Sequence, residues 1–493
     1  MLVHKYMMKA ISNIVAAVSS FVALMVMTRY VSYEYGVMMW GFAFVALFNI
    51  VTGLGFDTAH IKFIAEGRNQ NDCFSTYTII RLLLTLLMVI FSIAAVIIGL
   101  HNESMDAEAA KVVAVFITSY TVLNIRTIIT TTFDARLESG KSSIIIVAES
   151  IVRSVLLIIL ALKQVSADVL STSYLISTVV TIIPTLLFTK NVGLKFTRPT
   201  LFKEYAIFAA PLILSSLVLG SVDSLDKVII GFSGTPLEVS YYAAAMGAVV
   251  AMVSLGVSMN NVILPQLSSP EMISSRSKTE KLVWASQKYL MMFLLPVTAV
   301  LIVYGEEIAS VLFGSDFSKA GIILSILSVM MTLKILSGVL SQVLYASNNG
   351  RLYTRASVAY GISVIVMFLL FIPASSPFPW TEGIGAAIAA TLGSIFYTIV
   401  LTYYVKRSTG VRVYSELWKH LLATAITIAV LVFASCYFGG VGILWVIIVS
   451  LLGLGVHLAV LYATGEFRKS DVVFFLNAIN PKQIYESLED ELQ

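Results

Sequence analysis

The sequence predicts an all-α, polytopic membrane protein with about fourteen transmembrane helices. Of its 493 residues, 58% are hydrophobic and only 12% are charged, about half the charged share of an average soluble domain. The mean hydropathy is +0.91. Many apolar runs reach the about 20 residues that a helix needs to cross a bilayer. Lys and Arg also cluster in alternate connections, as is typical of cytoplasmic loops.

Fourteen apolar spans follow one another along the chain. The first starts after Lys5 and Lys9, and it is too long for the apolar core of a signal peptide, so we expect it to remain as a membrane helix. The predicted spans are residues 10–28, 37–56, 79–100, 112–133, 144–162, 169–187, 207–230, 241–264, 282–303, 320–345, 356–373, 383–405, 417–438 and 441–463.

The distribution of positive charge predicts that both termini are cytoplasmic. Most of the 32 Lys and Arg residues fall on one side, Lys62, Arg68 and Arg81 among them, and few fall in the outer connections. The net charge of +4 follows from this topology and predicts no nucleic-acid partner. Every loop is short and contains no P-loop pattern, which argues against an enzyme or an ATP-driven pump.

The chain contains two related halves, which start near Met1 and Lys203. In both, a basic flank, a long apolar span and a short turn come before the aligned segments, Glu34 to Val37 in the first half and Glu238 to Tyr241 in the second. Such internal repeats are typical of transporters. The two cysteines, Cys73 and Cys436, form no disulfide or metal framework, and we expect neither a metal nor a cofactor.

Three segments resemble a known family: TRYVSYEYG at 28–36, GLGFDTAHIKFIAE at 53–66, and FAAPLILSSL with DKVIIGF within 208–232. They are similar to the polysaccharide exporters of the multidrug/oligosaccharidyl-lipid/polysaccharide exporter superfamily, which are flippases for lipid-linked sugars. The resemblance implies two pseudo-symmetric six-helix lobes, at 1–200 and 201–410, and a final helix pair with a tail at 411–493. It also implies alternating access through a central cavity in the plasma membrane.

Three cations inside the spans are candidates to bind the phosphate of such a substrate, because a bare phosphate in hydrocarbon costs far too much free energy. Lys334 lies near the middle of its span. Arg153 either pairs with Glu149, one helical turn before it, or faces the substrate, in which case Glu149 is a candidate for coupling. Arg126 either binds substrate or extends to the cytoplasmic interface.

Other polar residues are weaker candidates for substrate binding. Arg29 and Lys62 stand where the headgroup would enter or leave, although topology alone also explains them. His457 is interpreted as a packed histidine. Asn49 and Asn124 hydrogen-bond either sugars or neighbouring helices.

The sequence therefore predicts a non-enzymatic flippase that moves a lipid-linked oligosaccharide or polysaccharide repeat by alternating access. Its partners would be the anionic glycan lipid, the bilayer and proteins of glycan assembly. A cation-coupled multidrug exporter of the same superfamily is the alternative within transport, although a deep cluster of carboxylates, which such a protein needs, is missing from the first span. A membrane glycan polymerase or ligase is the alternative from another class, and it would need a sizeable outer loop.

Overall fold

The fold is described from a computed structural model. It describes the backbone of residues 2–189, 193, 195–269, 272, 275–347, 349–372, 380–412, 414–438, 442–469 and 471, and the side chains of these residues except 2–11, 251–262 and 265. All the regular structure in this part of the chain is helical, which confirms the predicted fold class.

Sixteen α-helices follow one another in the described ranges. They are α1 (Leu2–Tyr30), α2 (Ser32–Gly53), α3 (Phe56–Ala65), α4 (Gln70–His101), α5 (Ala107–Ala135), α6 (Ser139–Leu162), α7 (Ala167–Val180), α8 (Ile182–Thr189), α9 (Phe202–Ser233), α10 (Pro236–Leu267), α11 (Arg276–Phe313), α12 (Ala320–Ala346), α13 (Gly350–Phe371), α14 (Glu382–Thr409), α15 (Leu417–Phe438) and α16 (Ile443–Ala463).

Thirteen stretches of the described residues are helical, long and apolar enough to cross a membrane. Each overlaps one of the predicted spans over most of its length, and the remaining predicted span, 241–264, lies within α10. Two spans consist of two helices each, α2 with α3 and α7 with α8. The helices extend beyond the apolar runs because their polar ends continue the helical hydrogen bonding in water.

Two of the breaks in these helices do not coincide with prolines. Between α2 and α3, Leu54 and Gly55 have φ values of +43° and +85°, a left-handed conformation that interrupts the helix. In α11 the backbone departs from helical geometry at Tyr304, although Pro296 also lies inside this helix. Gly55 has no Cβ, so it adopts this positive φ with little strain.

The described residues form two compact units. We call Met8–Ala248 with Thr354–Gly393 the N-terminal unit, and Val249–Tyr353 with Ser394–Gln493 and Met1–Met7 the C-terminal unit. In the N-terminal unit, α2 packs against α4, α5, α7 and α9, and in the C-terminal unit α11 packs against α12, α15 and α16. The lobe boundaries given above stay a prediction.

The repeated segments that suggested two halves begin α2 and α10. Glu34 and Glu238 are each the third residue of their helix, where a carboxylate interacts favourably with the helix dipole. Val31 separates α1 from α2, and Gly234 and Thr235 separate α9 from α10, so in both halves the break lies just before the repeated glutamate. Gly36 contacts the Pro236 carbonyl so closely that a Cβ at this position would overlap it.

Candidate functional site

A buried ion pair joins α5 to α6 in the N-terminal unit. One Nη of Arg126 lies 2.7 Å from a carboxylate oxygen of Glu149, and the other Nη donates to the Thr181 hydroxyl at 2.6 Å. The Thr178 hydroxyl donates to the second Glu149 oxygen at 3.1 Å. The two charged side chains are only 7% and 14% exposed, so each charge is compensated inside the protein rather than by water.

This arrangement settles two alternatives that the sequence left open. Arg126 points into the helix packing, so the interpretation that it extends to the interface was wrong. The predicted pair of Glu149 with Arg153 is not formed, because Glu149 binds Arg126 instead. The more deeply buried guanidinium has the greater need of a counter-charge, since less water is available to solvate it.

Arg153 lies half-buried in α6 without such a counter-charge. Its guanidinium carbon is 5.0 Å from the ring centroid of Tyr174, a cation–π distance. Within the described residues no carboxylate oxygen lies within 4.0 Å of it. Tyr174 belongs to an aromatic cluster with Phe42, Phe116 and Tyr120, in which neighbouring ring centroids are 5.3 to 5.6 Å apart. This part of the unit therefore combines a positive charge with aromatic rings.

Lys334 lies half-buried in α12 of the C-terminal unit. Its neighbours Thr332 and Leu333 line an apolar cavity of about 350 Å³, and the Thr332 hydroxyl is 2.7 Å from that of Thr298. Lys334 belongs to a different unit from Arg126 and Arg153. That the three cations share one chamber stays a prediction.

The two cations predicted near the mouths are exposed. Arg29 lies in the last turn of α1. Lys62 of α3 is 3.6 Å from Glu66 and 4.5 Å from the ring centroid of Phe208. Exposed pairs of this kind contribute little to stability.

A second buried arginine, Arg81, was missed as a candidate because it was counted among the cytoplasmic loop charges. It lies well inside α4 and is buried, with Nη1 2.7 Å from Asp57 and 2.9 Å from the Thr52 carbonyl oxygen. Its Nη2 donates to Asn124 at 2.8 Å. The signal that could have revealed it is the Gly-Leu-Gly at 53–55, because a broken helix leaves carbonyl groups that need a donor.

The asparagines near this arginine connect helices. The Asn124 amide donates to Asn49 at 2.8 Å, and the Thr52 hydroxyl donates to Asn124 at 3.1 Å. His60, close by, contacts Tyr205 and Thr132 through its two ring nitrogens, each at 3.0 Å. These residues hold α2, α3, α4, α5 and α9 together.

The C-terminal unit has a polar cluster at the end of α16. Lys288 lies 2.8 Å from Asp471, and Tyr414 donates to Glu466. Burial raises the pKa of Tyr414, and its bond to Glu466 raises it further. Burial acts to raise the pKa of Asp471, but the hydrogen bonds from Lys288, the Arg468 backbone N–H and Tyr289, with the charge of Lys288, together outweigh it, and that pKa lies below its usual value.

Two histidines pack between α15 and α16. His420 and His457 are fully buried with ring centroids 6.4 Å apart, and their ring nitrogens have no hydrogen-bond partner in the described part of the chain. The interpretation of His457 as a packed residue is confirmed. No group of three His, Cys, Asp or Glu within the described ranges is placed to hold a metal ion.

Comparison with known proteins places the chain in a family. Residues 26–322 match the family model described as polysaccharide biosynthesis protein. The chain is 25% identical over 217 residues to the probable low-salt glycan biosynthesis flippase Agl15 of Haloferax volcanii, covering 44% of this chain and 43% of that protein. It is 28% identical over 214 residues to the capsular polysaccharide biosynthesis protein CapF of Staphylococcus aureus, covering 42% and 50%. The chain spans about half the length of these curated relatives.

Solved structures extend the likeness in fold to nearly the whole chain. The lipid II flippase MurJ, in an inward closed conformation, matches with a TM-score of 0.77 at 16% identity over 96% of this chain and 100% of that one. A multidrug resistance MATE family transporter of the MOP superfamily, facing inward, matches with a TM-score of 0.58 at 15% identity over 82% and 94%. The family model covers more than half of the residues, and the chain belongs to the polysaccharide biosynthesis protein family.

Proposed function

We propose that this protein is a flippase that carries a lipid-linked oligosaccharide or polysaccharide repeat from the inner to the outer leaflet of the plasma membrane by alternating access. Family membership supports a role in polysaccharide biosynthesis. The names of two similar proteins, a glycan biosynthesis flippase and a capsular polysaccharide biosynthesis protein, support the substrate class. The reaction is transport, with no covalent step, and both termini would lie in the cytoplasm.

The observation that carries the proposal is Arg153. A half-buried arginine in a membrane-spanning helix, with no carboxylate within 4.0 Å in the described residues, is costly unless it binds an anion. A phosphate supplies that anion and can accept two hydrogen bonds from one guanidinium. The adjoining aromatic cluster offers flat apolar faces and phenol hydroxyls, which suit the mixed surface of a sugar.

The other cations take different roles in this proposal. Lys334 binds the substrate phosphate from the C-terminal unit, and Arg29 and Lys62 attract it at the mouths. Arg126 is neutralised by Glu149, so it contributes to substrate binding only when that pair opens, and Glu149 is then the group through which coupling would act. Proteins of glycan assembly would deliver and receive the substrate.

A transport assay tests the role of Arg153. The protein is reconstituted in liposomes with a fluorescent lipid-linked sugar, and the labelled lipid that reaches the opposite leaflet is measured. Because a hydrogen bond to a charged group contributes about 1.5 to 3 kcal/mol, Arg153→Gln should lower transport by roughly 10- to 100-fold. Arg407→Gln is the matched control, since it removes the same charge at the exposed end of α14 and should transport normally.

The same liposomes separate the alternatives. A cation-coupled drug exporter would move a cationic dye and leave the glycan lipid in place, and its fold is also related to this one. A polymerase would lengthen the glycan. Normal glycan transport by Arg153→Gln would remove this residue from the mechanism.

A further inference from the structure

The pair formed by Asp57 and Arg81 differs in exposure between its two members. Arg81 is 6% exposed, whereas the Asp57 side chain, 2.7 Å away, is 38% exposed. Asp57 stands in the first turn of α3, directly after the break at Leu54 and Gly55. It also accepts a hydrogen bond from the Tyr77 hydroxyl at 2.7 Å. The acid therefore faces out of the helix packing while its partner stays inside the protein.

Asp57 supplies the one carboxylate within 4.0 Å of Arg81 in the described part of the chain. The other bonds of Arg81 go to neutral oxygens of Thr52 and Asn124, and its Nε is buried without a partner there. The remaining titratable groups that face the pair are Tyr77 of α4, His60 of α3, which stacks on Tyr77, and Tyr205 of α9. From α5, Asn124 accepts from Arg81 and the Thr131 hydroxyl accepts from Tyr77, and both are neutral.

These contacts dictate what happens when Asp57 takes up a proton. The new O–H bond makes the carboxyl neutral, and the buried guanidinium then has no counter-charge. An uncompensated buried cation is costly, so an anion that enters from the exposed side would be bound strongly. A phosphate suits the position, because it accepts from the guanidinium and from the Tyr77 hydroxyl together, next to the positive end of the α3 dipole.

We propose that Asp57, Arg81 and Tyr77 form a phosphate site that a proton on Asp57 opens. This inference rests on the proposed function, for which it would supply both a phosphate subsite and a link to the proton gradient. Proton and phosphate bind together, and loss of the proton lets the carboxylate retake Arg81 and expel the phosphate. By linkage, each ligand raises the affinity for the other by the same factor.

Binding of two probes to the purified full chain in detergent tests the site. Farnesyl diphosphate represents a lipid-linked phosphate and inorganic pyrophosphate a free one. Both probes gain negative charge as the pH rises, so weaker binding at pH 8 than at pH 6 would come from the protein. We expect affinity at least about tenfold higher at pH 6. Stronger binding of farnesyl diphosphate would assign the site to a lipid headgroup, and equal binding to phosphate in general.

Substitutions separate the site from general electrostatics. Asp57→Asn keeps an oxygen acceptor for Arg81 and Tyr77 but no charge, so its binding should be at least as strong as that of wild type at pH 6 and should not weaken at pH 8. Arg81→Lys should bind weakly at both values. Tyr77→Phe should lower the affinity for the probes a few-fold at pH 6 while the ion pair of Asp57 and Arg81 stays in place. Glu138→Gln is the control, because it removes a carboxylate that pairs with Arg136 and Lys141. It should leave the affinity for both probes unchanged at both pH values.

Some results would overturn the inference. The inference fails if probe binding by Asp57→Asn keeps the wild-type pH dependence. It also fails if Glu138→Gln gains as much affinity at pH 8 as Asp57→Asn does. The thermal unfolding midpoint of each variant shows that it is folded. The liposome assay keeps the two proposals apart: transport with no effect of Asp57 on binding refutes the site alone, whereas Asp57-controlled binding without transport refutes the flippase alone.

Discussion

The N-terminal unit contains two arginine–carboxylate pairs that share one distance and differ in exposure. In both, a guanidinium nitrogen lies 2.7 Å from a carboxylate oxygen, and in both the arginine is almost fully buried. Glu149 is buried with Arg126, whereas Asp57 faces outward from Arg81. We call them the sealed pair and the open pair. Opening the sealed pair leaves two largely buried charges uncompensated and is therefore costly, but an open pair can exchange its acid for another anion.

The largest effect should come from breaking the sealed pair. Arg126→Gln leaves Glu149 charged and buried, at a cost of about 3 to 5 kcal/mol in the free energy of unfolding. Denaturant unfolding in detergent measures this cost. Adding Glu149→Gln to the variant should recover most of it, because two neutral amides can hydrogen-bond each other. A loss below about 1 kcal/mol would show that the pair is not sealed in solution.

Breaking the open pair should cost less. In Arg81→Gln, Asp57 keeps its partial exposure, and the main loss is the hydrogen bond from the guanidinium to the Thr52 carbonyl oxygen. The free energy of unfolding should fall by about 1 to 3 kcal/mol in the same measurement. If this variant is destabilised as much as Arg126→Gln, exposure does not distinguish the two pairs, and the exchange of anions at Asp57 loses its basis.

The smallest effect should come from a third, more solvated group of charges. Glu138 lies between Arg136 and Lys141, at 2.9 and 2.6 Å. Burial acts to raise its pKa, but the bonds to Lys141 and Arg136 outweigh it, so the pKa is lowered. The stabilisation is therefore full above the pKa of the unfolded chain and disappears as the pH falls through the lower, folded value. Solvent screening limits it to about 0.3 to 1 kcal/mol.

Unfolding of wild type and Glu138→Gln between pH 3 and pH 7 checks this last value. The two proteins should differ at neutral pH and converge in acid. A difference that grows as the pH falls would mean that the carboxylate is not stabilised in the folded state.

The sequence was sufficient to locate the membrane spans but not to predict which partners the charged side chains inside them would have. A span is recognised from its own 20 or so residues, so hydropathy located even the two spans that consist of two helices each. A salt bridge between helices depends on which faces meet. Glu149 sits one turn from Arg153, which favours a pair within α6, but the packing of α5 brings Arg126 to it instead.

Arg81 shows the same limit in a different form. The positive-inside rule assigns an arginine near the end of a span to the cytoplasm, and it does not consider whether the side chain returns into the protein. Here the helix break after Gly53 provides a carbonyl oxygen and Asp57 a counter-charge, and together they make burial favourable. Arg153 and Lys334 were predicted within spans, and their approach to a common substrate remains to be tested.

The N-terminal unit is assembled from two stretches of chain, and this has a consequence for biosynthesis. Residues 354–393 complete it, for example where Gly361 packs on Val218, yet the ribosome makes residues 249–353 first. At about 5 to 20 residues per second, the earlier helices wait several seconds for these partners. Newly inserted chains therefore pass through a stage in which apolar and charged faces lack their final neighbours, when membrane chaperones and quality-control proteases have access to them.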